Sequence, residues 1–393
     1  MTLPRPTLAL AGLLPLFLLA CAGEADPPVP AGELPIREAE VVTRLGEIDG
    51  ELVFGTAVQV RVGPDGLLYT TESESPAIRV LTPEGEPVRT IGRAGEGPGE
   101  FRFRPAHLAW RGDSLGVLDG ERLNWFDAEG AFLGMERLPM VEAGEGRSVR
   151  PQLILPAGGF VGSTPSTQGI ATSGNPRVAR VRVPATAERL DTLLVRDISR
   201  ASRRLSTGGV SPQPFHDPPV AEVDPVAEEL LTAEWEGEPR SVVRVRRVSF
   251  EGDTLARGEL GVRPIPLTDA MVDEVLVGFE EAFQRGRGLS PSDARALARE
   301  DLYRPAHLPP PLTILPGADG SVWLRLRAPS LLPGAEGFDP TPVWVAFDRE
   351  LRPRGVAVMP VGFFLHAPDA SGGWGMLRDE LGVNYVVRVE VAW

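Results

Sequence analysis

The sequence predicts an all-β fold: a six-bladed β-propeller with a small helical insertion between blades four and five. Two observations predict it. A unit of short strands and Gly/Asp-rich turns recurs six times along the chain, and a spare strand over residues 38 to 46 precedes the first copy. Such units correspond to propeller blades, and six of them around an axis form one domain.

Each copy of the repeat has a turn, two strands, a polar turn and a third strand. The strands alternate, as in residues 242 to 248, where the apolar side chains fall mainly on one face. The turns carry Gly, Asp and Pro, which tolerate the backbone dihedral angles of tight hairpins. The first copies are about 45 residues apart, in the range of propeller blades. The copies begin near residues 62, 110, 155, 230, 315 and 372.

The spare strand predicts how the ring closes. Each copy, with an additional leading strand, makes a four-stranded blade, but the last copy supplies only part of its blade before Trp393. We therefore expect residues 38 to 46 to pair as the outer strand of the last blade. Closure of the ring would remove sheet edges that otherwise invite aggregation.

The first twenty residues have the layout of a bacterial export signal. Arg5 is the one charge, and the small and apolar run from Leu8 to Ala20 suits a signal peptide and is too short to span a membrane. The run leads directly into Cys21, and Leu18-Leu19-Ala20-Cys21 resembles the lipobox of bacterial lipoproteins. The resemblance implies cleavage before Cys21 and a diacylglyceryl lipid on its sulfur. The alternative is an ordinary secretory signal with a chance cysteine.

Residues 21 to 36 are predicted to be a flexible tether, because they are rich in Pro, Ala and Gly and poor in apolar side chains. Cys21 is the only cysteine, so the chain has no disulfide of its own. The predicted organisation is thus a signal peptide over 1–20, a tether over 21–36 and a propeller over 37–393. Ala22 is unlike the Asp that retains lipoproteins in the inner membrane, which favours the outer membrane.

The formal net charge of −14 limits the partners that we expect. Binding to nucleic acid needs a basic face, and electrostatic adhesion to anionic lipid needs basic clusters. We therefore expect no nucleic-acid partner and contact with the membrane only through the lipid on Cys21. The acidic balance itself is explained by solubility.

The segment RTIGRAGEGPGEFRFRPAHLAW, residues 89–110, resembles the inter-blade segment of NHL-type propellers. Asp119, Arg122 and Phe126 are similar to the D…R…F pattern of those proteins. The resemblance extends over the mature chain and is weakest in the third copy. It implies a six-bladed propeller and an exported location, but no single activity. The glycines of residues 92–99 do not predict a phosphate loop, because no Gly-Lys-Ser/Thr and no helix follow them.

The insertion over residues 266–306 has the period of two helices. The shared apolar face of the first helix comprises Val272, Val275, Leu276, Phe279 and Phe283. Ser290 then caps a second helix, with Pro291 in its first turn, and Leu297 and Leu302 are expected to face inward. The insertion is either a lid over one mouth of the channel or an appendage on the propeller rim. The second is plausible because a fold tolerates an insertion in a surface loop at little cost in free energy.

The four histidines are the candidate metal ligands: His107, His216, His307 and His366. All of them lie at or near the start of a blade's first strand, the strand that lines the axis. They are candidates to hold zinc together, and NHL-type amidating lyases place metal-binding histidines in a comparable region. The alternative is that they belong to turns between blades, since none has an acid at a fixed short spacing as a supporting partner.

Two classes of function follow. The first is a lipid-anchored cell-envelope module that binds or scaffolds an unknown protein or small molecule, for which the fold is the only warrant. The second is a hydrolase or lyase in the central channel, with zinc as an optional cofactor. No Gly-x-Ser-x-Gly elbow is present, so covalent catalysis has little support and no catalytic residue is assigned.

Overall fold

The computed structural model describes residues 28–47, 52–55, 59–105, 107–142, 148–164, 177–186, 190–197, 200–216, 220–238 and 241–393. The predicted signal peptide, Cys21 and the first part of the predicted tether lie outside these residues. Within them, no helix is both long enough and apolar enough to cross a membrane.

Six antiparallel blades form the body of the protein. Three short strands precede them: β1 (Val29–Pro30), β2 (Ile36–Glu38) and β3 (Glu40–Leu45). Blade I comprises β4 (Gln59–Val62), β5 (Leu68–Thr71), β6 (Ile78–Leu81) and β7 (Pro87–Ile91). Blade II comprises β8 (His107–Arg111), β9 (Ser114–Asp119), β10 (Arg122–Phe126) and β11 (Phe132–Arg137). Blade III comprises β12 (Arg150–Ile154), β13 (Phe160–Ser163), β14 (Arg177–Val183) and β15 (Asp191–Asp197).

A hairpin and the remaining blades complete the order. The hairpin is β16 (Ser202–Arg204) and β17 (Val210–Pro212). Blade IV comprises β18 (Val220–Asp224), β19 (Glu229–Glu236), β20 (Val242–Ser249) and β21 (Thr254–Gly261). After the pair β22 (Ile265–Pro266) and β23 (His307–Leu308), blade V comprises β24 (Pro311–Pro316), β25 (Val322–Leu326), β26 (Val343–Phe347) and β27 (Pro353–Val358). Blade VI comprises β28 (Phe363–Asp369), β29 (Gly372–Arg378), β30 (Asn384–Glu390) and, from the other end of the chain, β3.

The core is divided among the blade interfaces, because each blade buries one face of its strands against the next blade. Six apolar clusters each join two neighbouring blades, from I and II around to VI and I. The last interface joins Leu45 and Trp374 of blade VI to Val60 and Leu68 of blade I. The ring is therefore closed, and the predicted six-bladed propeller is confirmed.

The ring closes through the strand that was predicted over residues 38 to 46. β3 runs antiparallel to β30, with Glu40 opposite Glu390 and Leu45 opposite Val386. The apolar side chain of Leu45 is 5% exposed and lies in the cluster between blades VI and I. The strand thus joins the two ends of the chain in one sheet and supplies the outer edge of blade VI.

The prediction of a flexible tether is wrong for residues 28 to 36. β1 pairs in parallel with β21 at the outer edge of blade IV, and β2 pairs in parallel with β27 at the outer edge of blade V. Ala31, between them, is buried in the cluster shared by these blades. The composition of this segment suits a free chain, but two open sheet edges provide the hydrogen-bonding partners that its own residues lack.

The helical insertion lies between blades IV and V, as predicted, and consists of α1 (Asp269–Arg287) and α2 (Pro291–Arg299). Thr268 caps α1, Gly288 ends it in the left-handed conformation, and Ser290 caps α2. Val272, Leu276 and Phe283 of the predicted apolar face are buried, while Val275 and Phe279 are partly buried against the same cluster.

Candidate ligand-binding channel

The first strand of each blade lies nearest the axis, since the first strands of neighbouring blades contact one another, as β4 contacts β28 and β18 contacts β24. Arg61 lies in the middle of β4 and Glu222 in the middle of β18. Burial lowers the pKa of Arg61, and the carboxylate of Glu222 opposes this effect. Blades I and IV stand on opposite sides of a six-membered ring, so this electrostatic interaction crosses the axis. Arg61 and Glu222 therefore both face the central channel.

Two imidazoles flank Arg61 on the neighbouring blades. His366 lies where the pairing of β28 with β29 shifts register, and its carbonyl oxygen accepts a hydrogen bond of 2.9 Å from Nη1 of Arg61. Such a bulge changes the direction in which a strand presents its residues. His107 begins β8 of blade II and is 8% exposed. The two rings and the guanidinium thus form one polar group that spans blades VI, I and II.

Both imidazoles are held neutral. Burial, and then the charge of Arg61, lower the pKa of His107 to about 3 against the opposing effect of a hydrogen bond with the backbone of Ile154. Burial and then Arg61 lower the pKa of His366 to about 4. Among the residues that the structure describes, Nε2 of His107 and Nδ1 of His366 are buried without a hydrogen-bond partner. Thirteen other buried side-chain atoms of the described residues also lack a partner, so what distinguishes these two nitrogens is that the charge of Arg61 acts on both of their rings.

Blade III adds two guanidinium groups near Glu222. Nη1 of Arg180 lies 3.6 Å from Oε1 of Glu222 and donates to the carbonyl oxygen of Ala221 at 3.5 Å. Burial lowers the pKa of Arg196, the charge of Arg180 lowers it further, and Glu222 raises it. Arg180 lies on the third strand of blade III and Arg196 on its outer strand, so they approach Glu222 from the interface of blades III and IV rather than from the axis.

The four histidines do not come together. His107 and His366 lie beside Arg61, whereas Nδ1 of His216 lies 2.9 Å from the carbonyl oxygen of Gln213. Nε2 of His307 is 3.9 Å from a carboxylate oxygen of Glu238. No group of three or more His, Cys, Asp or Glu suited to a metal ion occurs among the described residues. The prediction that all four converge is wrong, because a position at the start of a first strand does not determine the direction of the side chain.

The Gly-rich segment after blade I is a closed structural loop. Oε2 of Glu100 accepts the backbone N–H of Gly97 at 2.8 Å, and Oε1 accepts Nε of Arg93 at 2.8 Å. The carboxylate of Glu100 therefore already accepts the backbone N–H of Gly97, a donor that a bound phosphate would need. A cleft of about 310 Å³ lies beside it, lined by Glu96, Gly97, Pro98, Arg122, Asn124, Phe132 and Met135.

The D…R…F residues hold this loop in place. Asp119 is fully buried and accepts the backbone N–H groups of Arg102 and Phe103. Arg122 forms an ion pair with Asp119 and donates to the carbonyl oxygens of Glu96 and Glu100. Charge-assisted hydrogen bonds of this kind are among the stronger ones in proteins. In this chain the pattern thus serves to order an inter-blade connection.

The helical insertion has a core of its own. α1 and α2 enclose Leu276 and Leu297 together with Leu205 and Phe215 from the connection between blades III and IV. Both connections join an outer strand to the next inner strand, so they lie on the same face of the ring. None of the contacts found for the insertion involves Arg61, His107 or His366. This arrangement fits the rim appendage better than the lid.

Sequence reasoning missed Arg61 and Glu222. Each is a charged residue between two apolar neighbours on an inner strand: Val60-Arg61-Val62 and Ala221-Glu222-Val223. A charge at that position of a blade's first strand was the available signal. The order of the blades and the closure of the ring decide which charged residues come near each other across the axis. The sequence of a single strand does not reveal either of these.

No family model matches the chain, and no curated protein sequence matches it significantly. Solved structures that it resembles include a protein of Bacteroides fragilis described as exported, with 12% identity, a TM-score of 0.43, and coverage of 93% of this chain and 98% of that one. Virginiamycin B lyase of Staphylococcus aureus has 10% identity and a TM-score of 0.39, over 90% of this chain and 100% of the lyase. Regucalcin of Agrobacterium tumefaciens, a calcium-binding protein, has 10% identity and a TM-score of 0.36, over 91% and 96% of the two chains. The fold assignment rests on the six sheets described above.

Proposed function

We propose that this protein is a lipid-anchored module of the cell envelope that binds a ligand in its central channel. The observation that carries the binding site is the polar group of Arg61, His107 and His366, in which one buried nitrogen of each ring, Nε2 of His107 and Nδ1 of His366, has no partner among the described residues. Buried polar atoms stabilise a fold when they are paired and cost free energy when they are not. A ligand that pairs them would supply the missing hydrogen bonds.

The unpaired ring nitrogens of His107 and His366 also favour a binding function over a catalytic one. A nucleophilic site needs a hydroxyl or thiol within hydrogen-bond reach of a base. Nε2 of His107 and Nδ1 of His366 have no such neighbour in the part of the chain described here. With a pKa of about 3 and about 4, these rings are also poor general bases near neutral pH, since an efficient base has a pKa close to the working pH.

Native mass spectrometry tests the choice between the two classes. The protein is purified without a tag from its own cells, and molecules that stay bound are identified. The same molecules are then incubated with fresh protein. A ligand recovered unchanged supports a binding module, whereas its conversion to product would favour the hydrolase or lyase. Zinc content, measured in the same preparation, tests the cofactor hypothesis.

The anchor is the second part of the proposal and rests on the lipobox at Cys21. Since β1 fixes Val29 to the edge of blade IV, eight residues of chain lead back from it to the lipid-bearing sulfur. An extended chain spans at most about 3.3–3.6 Å per residue, so the edge of blade IV would sit within roughly 30 Å of the bilayer. The propeller is thus expected to lie close to the membrane rather than far above it.

Cys21→Ser tests the anchor. The variant should incorporate no labelled palmitate and should leave the membrane fraction, because the sulfur is the attachment point of the diacylglyceryl group. Ala22→Ser is the matched control and should keep both label and membrane location. Fractionation of the outer and inner membranes shows which of them holds the wild type. Membrane retention of Cys21→Ser equal to wild type would refute lipid anchoring.

A further inference from the structure

The channel group of Arg61 and Glu222 has more positive than negative charge. The carboxylate of Glu222 lies 3.6 Å from Nη1 of Arg180, whereas no ion pair of Arg61 occurs among the described residues, so Glu222 acts on Arg61 only from a longer distance. The imidazoles of His107 and His366 add no charge near pH 7. The whole chain has a net charge of −14, so this local surplus runs against its overall balance. A partly buried cation without its own counterion is unfavourable.

Among the described residues, one protein acceptor is found for the guanidinium of Arg61, which leaves donors for a ligand. It has five N–H donors in a fixed fork, and one of them, on Nη1, is used by the carbonyl oxygen of His366. The fork matches the two oxygens of a carboxylate or phosphate, so that two parallel hydrogen bonds form. The residue is partly exposed.

The two imidazoles supply the remaining polar contacts. A neutral imidazole donates from one ring nitrogen and accepts at the other. Because the ring of His107 donates to the backbone of Ile154, its free Nε2 can accept from a hydroxyl or amide N–H next to the anion, whereas the free Nδ1 of His366 can donate or accept. His107 is more than nine-tenths buried, and its free Nε2 has no partner among the residues placed here. The site thus combines one cationic fork with two neutral hydrogen-bonding rings.

We propose that the ligand of the central channel is a small organic anion whose carboxylate or phosphate group is bound by the guanidinium of Arg61, between His107 and His366. This inference rests on the proposed function of the channel as a ligand site and adds the chemical class of the ligand. Arg180 and Arg196 contribute long-range attraction for the anion. Because they share the single negative charge of Glu222, that charge does not fully neutralise Arg61.

Calorimetric titration with citrate and with inorganic phosphate tests this inference on the Cys21→Ser protein. Arg61→Met should weaken binding roughly tenfold or more, since a charge-assisted fork is lost. Glu222→Gln should strengthen binding, because it removes the carboxylate that competes for Arg61. Arg257→Met, at an exposed position on β21, is the matched control and should bind both anions as the parent protein does.

The thermal stability of the ligand-free proteins gives an independent readout. If Arg61 is an anion site that lacks its counterion, Arg61→Met should keep or raise the melting temperature. If Arg61 serves only as the structural partner of Glu222, the same change breaks a buried ion pair and should lower it strongly. Unchanged anion affinity in Arg61→Met, or a large loss of its stability, would overturn the inference. A neutral molecule found bound by native mass spectrometry, with no response to anions, would overturn the anionic class while leaving channel binding intact.

Discussion

Replacement of Leu45 by alanine should weaken the closure of the ring. Leu45 is the last residue of β3 and is 5% exposed, packed between blades VI and I beside Phe54, Leu81 and Trp374. Truncation of a buried leucine costs about 2–5 kcal/mol, the sum of lost burial and the cavity left behind. At roughly 2.1 cal/mol/K of unfolding entropy per residue, a domain of this size loses about 1.3 °C per kcal/mol. We therefore expect the melting temperature to fall by about 3–7 °C.

Differential scanning calorimetry measures this loss, with Val42→Ala as the matched control. Val42 lies in the same strand but is 48% exposed, so its truncation should change the melting temperature by less than about 1 °C. Limited proteolysis should also cut Leu45→Ala earlier at the amino end, because β3 detaches more often. Equal melting temperatures for the two variants would refute the idea that β3 carries closure through its buried side chain.

Two further changes test the polar groups of the fold. The pKa of His107 is about 3 in the folded protein and about 6.5 in the unfolded chain, so the unfolded state takes up the proton first and stability falls as pH drops from 6.5 towards 3. His107→Phe should remove this dependence, which is worth on the order of 3 kcal/mol at pH 4; parallel pH profiles of the two proteins in denaturant titrations would contradict it. Arg203, 5% exposed, donates to the carbonyl oxygens of Ala298 and Glu300 at the end of α2, so Arg203→Met should increase hydrogen exchange in α1 and α2 by roughly tenfold or more. Exchange that rises equally in blade II would mean that the change acts on the whole fold.

The repeat and the helices were predictable because their signals are local. Alternation along a strand, a Gly or Asp in a tight turn, and the cap at Ser290 depend on neighbours a few residues away. The spare strand at residues 38 to 46 was predictable for a different reason: once the number of strands is counted, the incomplete last blade needs one more. The residues that close the ring could therefore be named before their partner strand was seen.

The tether shows where local signals mislead. Residues 28 to 36 have the composition of a free chain, and their own side chains bury little apolar surface. They are ordered by hydrogen bonds to β21 and β27, strands more than 200 residues further along the chain. Such pairing is decided by which sheet edges stay open after the blades have assembled, and composition carries no information about that.

The sequence by itself determined the six repeats and the helical insertion, because each of these is set by residues close together in the chain. Only the tertiary structure decided which histidines face the channel and which lie in turns. It brought the guanidinium of Arg61 of blade I to the carbonyl oxygen of His366 of blade VI, and Glu222 of blade IV to Arg180 of blade III. The physical reason is that a site on a propeller axis collects one or two side chains from each blade, and their distances depend on ring closure and on the tilt of every inner strand.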